Sequence, residues 1–232
     1  MKISLVTPSR DRSQAFAVVQ HCIARQTLEP HEWIVVRDGN SDYSYALNQR
    51  VICRPSKKGE PHSTCSNLLE AFKHVTGDIV AIIPDDDWYG PEYLERIARS
   101  FESSKEPVCF ACPPVLYYQV SQPSLFNVSR REYPDVGQIS FDLNHGTNPR
   151  VYIEHLCGRG DPAIDRCLFR HWHGGRSFVP NEKLHLGLKG TPGTPGIDSF
   201  HKMKGISDNA DRDLLKACIG DDRVAFDLIA RL

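Results

Sequence analysis

Residues 82–88 read Ile-Ile-Pro-Asp-Asp-Asp-Trp, and three adjacent carboxylates, Asp85, Asp86 and Asp87, are the clearest chemical feature of the chain. Like charges that close repel one another, so a stable fold needs a reason to place them together. A hard divalent cation supplies one, because Mg²⁺ or Mn²⁺ takes oxygen ligands and bridges to substrate phosphates. The plainer reading is a solvated acidic turn ahead of the next helix. A second charged feature, His201, Lys202 and Lys204, ends the Gly- and Pro-rich stretch 181–205. That stretch reads as a long flexible loop: a lid with a basic end, or a solvated surface segment. Cys109-x-x-Cys112 supplies half of a zinc set, but Cys157, Cys167, His171 and His173 are scattered and the pair falls in a strand-like run, so core packing is the better reading.

The elements that must position these groups alternate. Residues 3–7 form a short apolar run closed by Pro8, a buried strand. Residues 13–26 carry Phe16, Val19 and Ile23 at helical spacing, with Ser13 or Asp11 as a starting cap. Residues 33–36 are a second strand stopped by Asp38-Gly39-Asn40, and 50–54 a weaker third. Residues 67–75 read as a helix closed by Gly77, and 79–83 as a central parallel strand, continuous and apolar. Pro91 opens the next helix as its first residue, and it runs through Leu94, Ile97 and Phe101. Strands follow at 108–111 and 115–120, a helix at 211–218, and a last strand or extended tail at 223–232. Such alternation predicts an α/β domain over 1–232, a mostly parallel central sheet flanked by helices. Ligands of such sheets bind beyond the carboxyl ends of the strands, so residues 8–12, 38–42 and 85–87 are the ones to watch.

Composition sets the outer bounds. The chain has 232 residues, of which 40% are hydrophobic and 25% charged, which excludes wholesale disorder. A net charge of −1 argues against a bulk electrostatic grip on nucleic acid. Eight cysteines are too few for a disulfide scaffold of this length. No secretory signal or bilayer-spanning run is seen, so a cytoplasmic, reducing setting without a transmembrane segment is expected.

Three segments together resemble a known family. Residues 6–12, Val-Thr-Pro-Ser-Arg-Asp-Arg, are similar to the first-strand signature of inverting family 2 glycosyltransferases of the GT-A fold. Residues 34–42 resemble the family's second strand and its Asp-Asp-Gly-Ser turn, with Arg37 in place of the first acid. Residues 77–87 resemble the third signature, which ends in the DXD metal motif, and 88–95 continue the match. Ahead of that strand, Cys65-Ser66-Asn67 keeps only the Asn of the usual Ala-Arg-Asn. The likeness covers 3–105 well and the remainder loosely.

The resemblance implies a metal-dependent transfer of a sugar from a nucleotide-diphosphate donor, a UDP-sugar first, to an acceptor hydroxyl. It implies Asp38 on the base, Pro8, Ser9, Asp11 and Arg12 around the nucleotide, and Asp85 on the ribose or assisting the metal. Asp86 would be the principal ligand of Mn²⁺ or Mg²⁺, with Asp87 in support. Residues 1–105 would form the donor half and 106–232 the acceptor half. Residues 209–216 resemble the segment that carries the catalytic base, with Ala210 in place of the usual Glu; this makes Asp211 the base and Asp213 or Asp221 the reserves. Residues 161–170 resemble a strand that walls the acceptor site. Asp165 or His171 would touch acceptor or sugar, and Trp172 would offer a sugar ring an aromatic face, a buried Trp being the plain alternative. The acceptor class stays open among glycan, lipid, protein and modified nucleic acid. Two other classes stay open too: a nucleotidyltransferase on a similar sheet, and a non-catalytic nucleotide-sugar-binding module.

Overall fold

Strand β1 (Ile3–Arg10) lies between β2 (Glu32–Asp38) and β4 (Ile79–Ile82), parallel to both. Alternation along these strands divides their side chains between two cores. Leu5, Val35 and Ala81 face one side, with Phe16 and Val19 of α1 (Ser13–Ala24) and Leu94 and Ile97 of α3 (Tyr93–Glu102). Val6, Ile34, Val36, Val80 and Ile82 face the other, with Cys65 and Leu68 of α2 (Ser63–Ala71). Burial on both faces is why these strands read as continuous apolar runs. The computed structural model describes residues 1–232 except 41, 46, 56–62, 105–107, 121–123, 129–133, 143–150, 152–153, 156–174 and 192–211.

The larger sheet has seven strands in the order β10-β6-β9-β4-β1-β2-β3, where β3 is Arg50–Cys53, β6 Val108–Ala111, β9 Ser140–Asp142 and β10 Gly175–Phe178. Only β9 runs antiparallel to its neighbours, so the sheet is mostly parallel, as expected. A second sheet has the order β5-β11-β7-β8, with β5 at Asp87–Tyr89, β7 at Val115–Gln119, β8 at Ser124–Val128 and β11 at His185–Lys189. The chain therefore leaves the first sheet at Ile82 and enters the second at Asp87, and the acidic motif spans the passage.

Several expectations are corrected. Residues 223–232 hold a helix, α5 (Arg223–Ile229), not a strand: the Asp222 carboxylate accepts from the Ala225 N–H at 3.1 Å, and Ala225 and Ile229 are buried at helical spacing against α1. The stretch 181–205 is not loop throughout, because β11 is a buried inner strand between β5 and β7. Residues 192–205 of that stretch lie outside the described residues. Helix α2 starts at Ser63, ahead of the expected 67, and α3 starts at Tyr93, so Pro91 precedes it. Arg12, with no side-chain cap bond, precedes α1 in place of the expected Ser13 or Asp11 cap. Helix α4 (Arg212–Ile219) falls where a helix is expected. No described helix is long and apolar enough to cross a membrane.

Candidate active site

The cleft begins where a proline ends a ladder. Alternate residues of β1 turn their backbone groups to opposite neighbours. The Val6 carbonyl accepts from Ile83 N–H at 2.9 Å, so Ser4, Val6 and Pro8 face β4. Pairing with β4 stops at Val6↔Ile82, and Pro8 has no N–H to leave unpaired there. On its other side β1 continues against β2 as far as Arg10↔Asp38, which is why the strand outruns the expected end at Thr7. The divergence of β4 from β1 opens the space that the acids enter.

Asp38, at the end of β2, is buried. Its Oδ1 accepts from Asn67 Nδ2 at 2.7 Å, and its Oδ2 lies 3.7 Å from both Arg10 Nε and Arg54 Nη2. Asn67 also donates to the Ser9 carbonyl at 3.3 Å and accepts from Arg54 Nε at 2.8 Å. One amide thus fixes the relative position of β1, β2 and α2. Asp11 is exposed at a φ of 52°, and its Oδ1 accepts from Asn40 N–H at 2.8 Å. It crosses to the turn after β2, where Gly39 has a φ of 99° and no room for a Cβ beside that carboxylate.

Asp85 faces back toward β1. Ser9 Oγ donates to its Oδ2 at 2.5 Å and Arg12 Nη1 to its Oδ1 at 3.0 Å. Burial raises the Asp85 pKa from 3.8 to about 6; Arg12 opposes the rise and the neighbouring Asp86 adds to it. The same Arg12 nitrogen lies 3.1 Å from Asp86 Oδ2. Burial pulls the Arg12 guanidinium down, yet the charges of Asp86 and Asp85 hold it above its ordinary value. Tyr43 buttresses this corner, its hydroxyl accepting from Arg12 N–H at 3.0 Å and sharing a hydrogen bond with Ser9 Oγ at 2.7 Å.

Asp87 faces the second sheet. Its Oδ2 lies 3.0 Å from Nε2 of His185, and both side chains are sealed from solvent. Burial pushes the Asp87 carboxyl up, and His185 works against that. His185, Gly187 and Lys189 share one face of β11, while Leu184, Leu186 and Leu188 turn into the core. Asp87 pairs in register with Gly187, where a Cβ would lie 2.4 Å from the Tyr117 ring and 3.3 Å from Asp87 Oδ1. Asp87 therefore sits between His185 and Lys189. Burial draws the Lys189 ammonium down, but Asp86, Asp87 and Asp135 outweigh it and raise its pKa. Its Nζ rests 4.7 Å from the Tyr117 ring centroid.

The acids thus face three ways. Asp86 is the most open of them, with 10% of its side chain exposed against 2% for each neighbour. Among the described residues no three His, Cys, Asp or Glu side chains converge into a metal cage. Among the described residues, four carboxylates, Asp85, Asp86, Asp87 and Asp135, act on the two cations Arg12 and Lys189. Those four carboxylates oppose an entering diphosphate, and a cation arriving with it would offset them. The donor set is hard oxygen with one accessible carboxylate. It fits Mg²⁺ or Mn²⁺ bound through Asp86 and completed by water and phosphate oxygens, the usual habit of Mg²⁺.

Pro8, Ser9, Arg12, Asp38, Asp85 and Asp86 thus collect at the carboxyl ends of β1, β2 and β4, and Asp87 stands behind them. Asp211, Asp165, His171, Trp172, His201, Lys202 and Lys204 lie outside the described residues. Asp213 falls within α4, and Asp221 is exposed in the turn between α4 and α5. Tyr43, Arg54, His185 and Lys189 were not expected in the site. Alternation across 184–189 is the signal that would have found the last two.

The sequence model of the family described as "Glycosyl transferase family 2" matches residues 4–157. An "Uncharacterized glycosyltransferase YwdF" of Bacillus subtilis is 28% identical over 71% of this chain and 63% of its own length. A "Glucosyl-dolichyl phosphate glucuronosyltransferase" of Haloferax volcanii is 26% identical over 54% of this chain and 42% of its own. The chain therefore spans less than two thirds of these curated relatives. Among solved structures, S. aureus TarS 1-349 in complex with UDP superposes with a TM-score of 0.54 at 14% identity, covering 81% of this chain and 60% of that one. Its complex with UDP-GlcNAc gives 0.53 at 13%, covering 82% and 59%. The fold is that of the GT-A glycosyltransferases, and with two thirds of its length matched the chain belongs to glycosyl transferase family 2.

Proposed function

We propose that this chain transfers a sugar from a nucleotide-diphosphate donor, a UDP-sugar, to an acceptor hydroxyl, with inversion at the anomeric carbon. The observation that carries the reading is the gathering of Asp85 and Asp86 at Arg12, with Asp38 joined through Asn67 to the Ser9 carbonyl beside them. Asp38, fixed by Asn67, accepts from a base N–H. Asp85, anchored by Ser9 and Arg12, accepts from a ribose hydroxyl. Asp86 would hold Mn²⁺ or Mg²⁺, which would supply positive charge against the departing diphosphate. Asp211, one residue ahead of α4, takes the proton from the acceptor hydroxyl. Family membership and the UDP and UDP-GlcNAc complexes of TarS support the donor class.

The test is UDP release from UDP-glucose, UDP-GlcNAc and UDP-glucuronic acid with Mn²⁺, measured for wild type and Asp86→Ala. Release from at least one donor, lost on chelation and in Asp86→Ala, is expected. No release from any donor, or release indifferent to both perturbations, overturns the reading.

A further inference from the structure

Lys189 has no part in the family signatures, yet its surroundings are built. It stands on the same face of β11 as His185 and Gly187, opposite the acidic motif, and Leu188 N–H binds the Asp86 carbonyl at 3.2 Å. Lys189 lies two residues beyond Gly187 on that face, within reach of the charges of Asp86, Asp87 and Asp135. The Tyr117 ring holds its ammonium at 4.7 Å, and Gly187 leaves room for that ring. Among the described residues Lys189 makes no direct ion pair, although it is half-buried beside three acids. A charged ammonium kept near carboxylates without closing on them has donors left for an incoming anion.

We propose that Lys189 is a phosphate-binding residue of this site, donating to the diphosphate of the nucleotide on the side of Asp86 away from Arg12. The inference rests on the donor reading above and adds a group outside its motifs. Two cations then flank the diphosphate, Arg12 from the turn between β1 and α1 and Lys189 from the second sheet. The second sheet thereby takes part in donor binding.

The experiment compares wild type, Lys189→Met, Lys189→Gln and Lys189→Arg for binding of UDP by calorimetry and of uridine by ligand-observed NMR. Each is measured with Mn²⁺ and again in EDTA, alongside thermal unfolding. UDP affinity should fall roughly tenfold to hundredfold in the Met and Gln variants, the range for losing one charge-assisted hydrogen bond. The loss should persist in EDTA, uridine should bind as before, and Arg should restore most of the UDP affinity. UDP binding unchanged in both neutral variants overturns the proposal and leaves the donor reading standing. Equal losses for UDP and uridine overturn it too, since they mark general damage to the pocket. A folded wild type that binds no UDP in either condition removes the donor reading, and Lys189 with it.

Discussion

Removing His185 should destabilise the protein more than its size suggests. Its Nε2 is 3.0 Å from Asp87 Oδ2, and the side chains are 0% and 2% exposed. Asp87 Oδ1 already has no partner, so His185→Ala leaves a buried carboxylate with none for either oxygen. Breaking one side of a buried pair costs about 3–5 kcal/mol. Asp87→Ala strands Nε2 of an imidazole whose Nδ1 is also buried without a partner. The double variant removes both dependants at once, so it should be less damaged than the two losses combined. A hydrogen bond to a charged group contributes about 1.5–3 kcal/mol, which sets the expected coupling. Urea unfolding of the four proteins at pH 7, followed by far-UV circular dichroism, measures it. Losses that add to within about 0.5 kcal/mol would refute the argument, and would free Asp87 from its structural duty toward β11.

Three further outcomes follow from the geometry. Asp85 carries a folded-state pKa of about 6 against an ordinary 3.8, so the folded protein holds a proton that the unfolded chain releases. In EDTA, wild type should therefore lose up to about 3 kcal/mol relative to Asp85→Asn as pH rises from 4 to 7, read from urea midpoints. Asp222 has its pKa lowered: burial opposes this, but the Ala225 N–H, His21 and Arg25 outweigh it. Its contribution is present at neutral pH and fades as pH falls below the ordinary carboxylate range, and Asp222→Ala should cost about 1–2 kcal/mol at pH 7 while Asp222→Asn, which keeps the cap, costs less. Gly137→Ala would set a Cβ 2.5 Å from Asp87 Oδ2 and 2.8 Å from His185 Nε2, an overpacking of about 1–3 kcal/mol that thermal unfolding should register.

What the sequence made legible follows from where the information lay. Strand β4 and its acids were plain because a strand buried on both faces is apolar throughout, and the acids follow it at once. Asp38, Ser9 and Arg12 were found through local signatures at strand ends. His185 and Lys189 were not, because their partners are distant: His185 and Asp87 are 98 residues apart. The alternation of Leu184, Leu186 and Leu188 was masked by the glycines and prolines that follow. Helix α5 was misread because a seven-residue element barely completes two turns of pattern, and its stability comes from the Asp222 cap and from α1. Pro8 was read as a terminator, although it lacks its N–H on the one side where no strand needs it.

The passage from β4 to β5 also has a kinematic meaning. Only residues 83–86 separate the last residue of the first sheet's β4 from the first residue of the second sheet's β5. Asp85 is anchored to β1 through Ser9 and near Arg12, Asp87 to β11 through His185, and Asp86 lies between the two anchors. Adjacent Cα atoms are held about 3.8 Å apart, so Asp85 and Asp87 cannot separate beyond about 7.6 Å however the sheets move. Residues 85–87 therefore act as a short tether at the pivot. A shift of one sheet against the other turns the Asp86 carboxylate about that tether instead of carrying it away, keeping the site gathered while its walls adjust.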